Sequence, residues 1–188
     1  MERSNQSAVK MMTLAAMITA LTIVMGLMPR IPLLLIPVPI VLQNMGVMMA
    51  GDMLGTRYGT LSVGIFLLLV SLGLPILSGG LGGAVVFLGA TGGYLVAWLF
   101  APLVINLIKN ALKGKIKNQL ILSLLSVWLG GAVFIDVFGA FWLAIQAPMP
   151  LSTAMFSTLL FIPGDTIKAI LVIIIANRLE KITLKLVK

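Results

Sequence analysis

The sequence predicts an all-α integral membrane protein of six transmembrane helices, forming a single transmembrane domain over residues 1–188. Hydrophobic residues make up 60% of the chain and charged residues only 10%, with a mean hydropathy of +1.16, whereas soluble domains carry about 25% charged residues. The apolar residues fall in runs of a length suited to a hydrocarbon core about 30 Å thick. The charges gather where those runs end, as expected of loops at a membrane surface.

The first span is expected over 8–28, after a short polar lead with Arg3 and Lys10. It exceeds the 7–15 apolar residues usual in a signal peptide and has no small-residue cleavage site before Pro29, so it reads as a retained helix. Pro29, Pro32, Pro37 and Pro39 then impose an extended loop that carries Arg30. The second span follows over 40–54. Asp52 and Arg57 flank a turn into the third, 58–74, which Pro75 closes.

Next comes Ser78-Gly-Gly-Leu-Gly-Gly83, and the fourth span is expected over 84–108, its first half loosened by Gly89, Gly92 and Gly93. Lys109, Lys113, Lys115 and Lys117 form a cationic loop. The fifth span, 120–145, holds Asp136 and ends before Pro148 and Pro150, and Leu151–Phe161 reads as a short interfacial helix or lid. The sixth span, 163–178, leaves the membrane through Arg178, Lys181, Lys185 and Lys188.

Six spans put both termini on one side of a cell membrane. Arg3, Lys10, Arg57, Lys109, Lys113, Lys115, Lys117, Arg178, Lys181, Lys185 and Lys188 share that side, 11 of the 13 cations, so it is predicted to be cytoplasmic. The net charge of +8 is thereby explained as topology, and no nucleic-acid partner is implied. Cysteine and histidine are both absent, which excludes disulfides, thiol nucleophiles and histidine-ligated metal. No cofactor or metal site is expected.

The most informative stretch is Phe161–Lys168. Asp165 and Lys168 stand one helical turn apart on one face, and counting 13 positions back from Arg178 puts Asp165 about 20 Å into the membrane. Insertion of a charge at such depth costs at least about 2.5–3.5 kcal/mol, so the group should be paired, face a wet cavity or hold a ligand. Capping explains an aspartate in a first helical turn after Pro163. It does not explain Lys168, which opposes the helix dipole there.

Similar arithmetic raises Asp136 to about 28 Å and Gly92 to about 26 Å above the cationic side, and Gln43 to about 21 Å if the segment to Arg57 is helical throughout, a common outer level. The candidate ligand site therefore comprises Asp165, Lys168, Gln43, Ser78, Gly79, Gly82, Thr91, Gly92, Tyr94, Asp136 and Trp142. The paired glycines suit a loop lining a cavity, since irregular backbone survives at membrane depth only there or inside protein. Tyr94 and Trp142 read either as flat cavity walls or as interfacial anchors, and Asp136 as a ligand contact or a second partner for Lys168. Catalysis finds no support: no nucleophile and base are evident, and Gly114-Lys115 is followed by Ile116, so there is no Walker sequence.

Four motifs in order, Val-Pro-Ile-Val-Leu-Gln at 38–43, Gly-Leu-Pro-Ile-Leu-Ser-Gly-Gly at 73–80, Gly-Ala-Thr-Gly-Gly-Tyr-Leu at 89–95 and Phe-Ile-Pro-Gly-Asp-Thr-Ile-Lys at 161–168, resemble the BioY family. These are the biotin-binding S components of energy-coupling-factor (ECF) transporters, a kind of ABC transporter. The resemblance implies an S-component fold that holds biotin near the outer face. It also implies partners, namely a transmembrane scaffold subunit and two cytoplasmic ATPases, docked through a small-residue strip that Ala16 and Ala20 match. Two positions depart from the pattern: Ala90 stands where proline is usual, and Asp136 where tyrosine is common. An S component for another small vitamin, or a membrane protein outside the ECF group, is the alternative reading.

Overall fold

The computed structural model describes residues 2–32 and 37–186, with the side chains of 2–7 and 180–186 left aside. The cations expected at Arg3, Lys181, Lys185 and Lys188 lie outside the described side chains. Among the described residues the regular structure is helical, and only isolated bridges between extended residues occur. By length and composition four helical stretches could cross a membrane, and a bent pair would make a fifth.

Helix α1, Glu2–Gly26, starts well before the expected span, so the polar lead is itself helical. The proline-rich loop is tied at its base, where Ile31 and Ile40 exchange both backbone hydrogen bonds at 3.0 and 2.9 Å. That pairing holds Ile40 in extended conformation, and α2 begins only at Gln43.

Helix α2 runs Gln43–Ser71 with one break, at Gly55, whose φ of 71° and ψ of −170° are open to glycine and strained for other residues. The chain reverses there. Ala50 and Gly59 would stand about 13.5 Å apart along an unbroken helix, yet the Ala50 carbonyl oxygen would lie 2.5 Å from a Cβ built on Gly59. Likewise Gly46 packs under Thr22 while Ser62 hydrogen bonds Thr19, so both limbs lie against the same part of α1. The limbs 43–54 and 56–71 thus form a helical hairpin. Asn106 braces its tip by donating to the Gly51 carbonyl at 2.9 Å, and Lys109 reaches Asp52 at 2.8 Å.

The segment expected to open the fourth span at Ala84 is not α-helical. A short 3-10 turn, Ala84–Phe87, follows Gly83, and helix α3 extends over Gly92–Leu112. The glycines that loosen this stretch do more than weaken a helix: Gly92 donates to the Gly89 carbonyl in a tight turn that postpones helix formation. A second tight turn at Gly114, with positive φ, leads to α4, Gln119–Trp128, capped by the Asn118 side chain. A π-helical turn, Leu129–Val133, joins α4 to α5, Phe134–Gln146, in one apolar rod.

Helix α6, Leu151–Ser157, and the 3-10 turn Thr158–Leu160 form the short element expected before the last span. Helix α7, Ile162–Leu186, follows at a bend of 48°. One end of the bundle therefore holds the loop residues 27–32, 37–42 and 72–91 with α6, and the other holds Gly55 and the lysine-rich turn. The native chain lacks cysteine, so single probes are clean. Residues 85 and 115 flank α3, and Val85→Cys and Lys115→Cys should react with impermeant thiol reagents from opposite sides. Labelling of both from one side of sealed vesicles would refute this arrangement.

Candidate functional site

The site begins with the first turn of α7. Pro163 lacks an N–H that an opening turn cannot use, and Asp165 sits where the positive end of the helix dipole favours a carboxylate. Lys168 donates to Asp165 Oδ1 at 2.6 Å, and the two side chains are only 10% and 5% exposed. Asn44, from the first turn of α2, donates to Asp165 Oδ2 at 3.3 Å and to the Gly131 carbonyl at 3.2 Å. Thus α2, the π turn and α7 meet at one carboxylate. Trp128 adds a bond across the same junction, from Nε1 to Thr166 Oγ1 at 2.9 Å.

Around this group lies a cavity of about 270 Å³. Asn44, Asp165 and Lys168 form its polar floor, while Tyr94, Leu95, Trp98, Ile135 and Phe161 give apolar walls. Tyr94 meets Phe161 edge to face at 6.0 Å and is seated directly over Gly139, where a Cβ would strike the ring. The roof comes from the loops, through Val38, Ile40, Leu77, Ser78 and Leu81, and Arg30 stands exposed at its edge.

Three buried polar atoms on this lining have no hydrogen-bond partner: Asn44 Oδ1, Asp136 Oδ2 and the Tyr94 hydroxyl. Buried polar groups are nearly always satisfied, so a cluster of unsatisfied ones around a cavity makes this the candidate ligand site.

Of the residues singled out from sequence, Asp165, Lys168, Gln43, Ser78, Thr91, Tyr94 and Asp136 line the cavity. Gln43 does so with its amide fully engaged. Its nitrogen donates to the Thr22 and Ile76 carbonyls, and its oxygen accepts from the Ser78 N–H and hydroxyl. It is a latch that fixes the loop after α2, closed further by Gly26, where a Cβ would collide with the Ile76 carbonyl and the Gln43 amide.

Gly79, Gly82, Gly92 and Trp142 are not on the lining. Gly79 takes a positive φ of 84° and lets the Arg30 guanidinium lie against the backbone, while Gly82 packs on the Leu74 carbonyl. Trp142 fills the space over Gly92 and Gly93 and donates to the Gly89 carbonyl at 2.9 Å, so it anchors the turn before α3 from behind. Asp136 makes no bond to Lys168, which is committed to Asp165. Sequence reasoning passed over Asn44, Trp98 and Phe161. Asn44 carried a signal as an amide beside Gln43 in an otherwise apolar run, and Phe161 as the first residue of the 161–168 motif, while Trp98 carried none.

The family model for BioY matches residues 1–185. The chain belongs to the BioY family. It is 51% identical over 178 residues to the biotin transporter BioY of Lactococcus lactis subsp. cremoris (strain MG1363), across 95% of this chain and 94% of that protein. The biotin transporter BioY of Rhizobium etli (strain ATCC 51251 / DSM 11541 / JCM 21823 / NBRC 15573 / CFN 42) is 41% identical over 162 residues, across 85% and 87%. Among solved structures, the S-component for biotin from an ECF-type ABC transporter superposes with a TM-score of 0.88 at 51% identity, across 94% of each chain. Both departures from the usual BioY pattern, Ala90 and Asp136, lie on the cavity lining.

The buried pair makes a stability prediction. Removing one partner of a buried ion pair strands the other charge and costs about 3–5 kcal/mol, whereas replacing both is far milder. Lys168→Met should therefore lower the thermal unfolding midpoint in detergent sharply, and the double variant Asp165→Asn/Lys168→Met should recover most of the loss. Equal destabilisation by the single and double variants would refute the pairing.

Proposed function

We propose that this chain is the substrate-capture subunit of an ECF-type biotin transporter, binding biotin in the cavity between α2, α3, α5 and α7. It is not an enzyme. The observation that carries the reading is the match between the unsatisfied atoms and the ligand. Biotin's ureido ring offers two N–H donors and one carbonyl. Asn44 Oδ1 and Asp136 Oδ2 are free acceptors, Asp165 on the first turn of α7 faces Asn44 of α2, and Lys168 and the Tyr94 hydroxyl can donate to the carbonyl.

Lys168 is already neutralised by Asp165, so the floor presents no free cation for biotin's carboxylate. Arg30, exposed at the loop edge of the cavity, does. The ureido ring therefore sits deep, and the valerate tail points to Arg30. Gln43, Ser78, Gly79, Gly82, Thr91, Gly92 and Trp142 act by shaping the roof and the turn before α3.

The chain crosses the membrane six times as a single domain: α1, the two limbs of α2, α3, the α4–α5 rod and α7. The limbs 43–54 and 56–71 are about 18 and 24 Å long, short of the about 30 Å core. The lysine-rich side and both termini are cytoplasmic by the positive-inside rule. On that side the chain meets the scaffold subunit and two ATPases that BioY resemblance implies.

Two predictions follow this reading. Asp165→Asn and Lys168→Met should each weaken biotin binding by at least about 1.5–3 kcal/mol, the range for hydrogen bonds to charged groups, as read by calorimetry. Wild-type affinity in both would remove the pair from the site. Ala16 and Ala20 are exposed on α1, which favours docking over internal packing. Ala16→Trp/Ala20→Trp should leave biotin binding by the isolated chain unchanged while abolishing co-purification with the scaffold and ATP-driven uptake. Undiminished uptake would remove that strip from the docking surface.

A further inference from the structure

We propose that Asp136 is a specificity-determining residue, which makes the cavity reject cyclic ureas substituted on the nitrogen that it faces. This rests on the biotin reading above and goes beyond it, from the molecule that is bound to the close analogues that are turned away.

Nothing in the protein itself accounts for Asp136. The residue is 3% exposed, and no ion pair or hydrogen bond involves its carboxylate among the described residues. Capping is not its role, because α5 continues from the π turn through helical backbone at Val133 and no side-chain cap is made there. Charge pairing is not its role either. Lys168 is held by Asp165, and Arg30 stands exposed at the loop edge of the cavity. Tyr94, seated on Gly139 nearly one turn further along α5, leaves its own hydroxyl unbonded. An acid buried without a partner lowers stability. The compensation must therefore come from what enters the cavity that Asp136 lines.

The two free acceptors divide the ligand's two donors between them. Asn44 Oδ1 comes from α2 and Asp136 Oδ2 from α5. Asn44 is fixed before any ligand arrives, by its bonds to Asp165 and to the Gly131 carbonyl. A cyclic urea carries one N–H on each side of its carbonyl, so each acceptor takes one and neither serves for both. A substituent on either nitrogen removes a donor and sets carbon against an oxygen that stays unsatisfied. Sites built around a ligand N–H reject the analogue lacking it by as much as about ten-thousandfold. A carboxylate at position 136, where tyrosine is common in the family, accepts and does not donate, so it can be satisfied only by a donor on the ligand.

The test is calorimetric titration of the full chain in detergent with biotin and with its two isomers methylated on one ureido nitrogen. Wild type should bind biotin and disfavour each isomer by at least about a hundredfold, within the range of such discrimination. Asp136→Ala should bind biotin at least about tenfold more weakly, as expected for a lost hydrogen bond to a charged group. The same variant should accept one isomer as well as it accepts biotin, since alanine leaves room for that methyl group, and should still reject the other through Asn44. Asp136→Val substitutes if that variant cannot be purified. Without ligand, the thermal unfolding midpoint of the variant should be no lower than that of wild type, and biotin should raise it less. Wild type that binds both isomers like biotin, a variant whose discrimination stays equal for the two isomers, or a lower midpoint in the empty variant would each overturn the proposal. Wild type that binds no biotin at all would instead overturn the transport reading on which it rests.

Discussion

An ammonium and a carboxylate buried 2.6 Å apart in an apolar bundle constrain everything around them. Desolvating two charges is expensive, and their attraction offsets that cost only when remaining lone pairs and protons are also satisfied. The carboxylate's second oxygen requires Asn44, which must therefore enter at the start of α2, and Asn44 in turn requires a free carbonyl on the rod. The π turn presents it, at Gly131. Three elements far apart in sequence are thus fixed in register by the satisfaction of one ion pair.

A second polar group, Gln43, plays the corresponding role for the loops. Its four hydrogen bonds join α1, α2 and the segment 76–78, so the roof of the cavity is tied to its walls by an amide rather than by apolar packing. The same amide thereby satisfies its own polar atoms away from water, on a carbonyl of α1 and on groups of the loop. The apolar outer surface contributes little to this precision, since side chains facing lipid gain nothing from association.

Much of this was legible in the sequence because it follows from period and depth. Helical spacing brought Asp165 and Lys168 together, and counting rise per residue put Asp136 and Gly92 at one level, whereas the count for Gln43 ran from Arg57 through Gly55, where the helix breaks and the chain reverses. What spacing cannot give is direction. Gln43 has the depth of a ligand contact, yet its amide is consumed by backbone groups of chain segments 21 and 33 residues away. Trp142 and Gly92 share the level of the cavity but face each other behind its wall, a relation fixed by how α5 rotates after the π turn. The same limit applies to Gly55: the charged flanks signal a turn, while its tightness depends on one positive φ that only the backbone reveals.

The cavity's unsatisfied atoms are the remainder of these same networks. Asn44 spends its two N–H groups on Asp165 and Gly131 and has only its oxygen left, so that oxygen must face the cavity. Tyr94 is seated by Gly139 and Phe161 and its hydroxyl has no hydrogen-bond partner, and Lys168 is held by Asp165 rather than by Asp136. Each unsatisfied group is thus held by bonds or contacts that would have to break before it could find a partner within the protein. Such groups are costly in the empty site and cannot relax. A ligand that satisfied them would recover that cost without ordering any of them, so preorganisation of this kind favours tight binding of a small, largely apolar molecule.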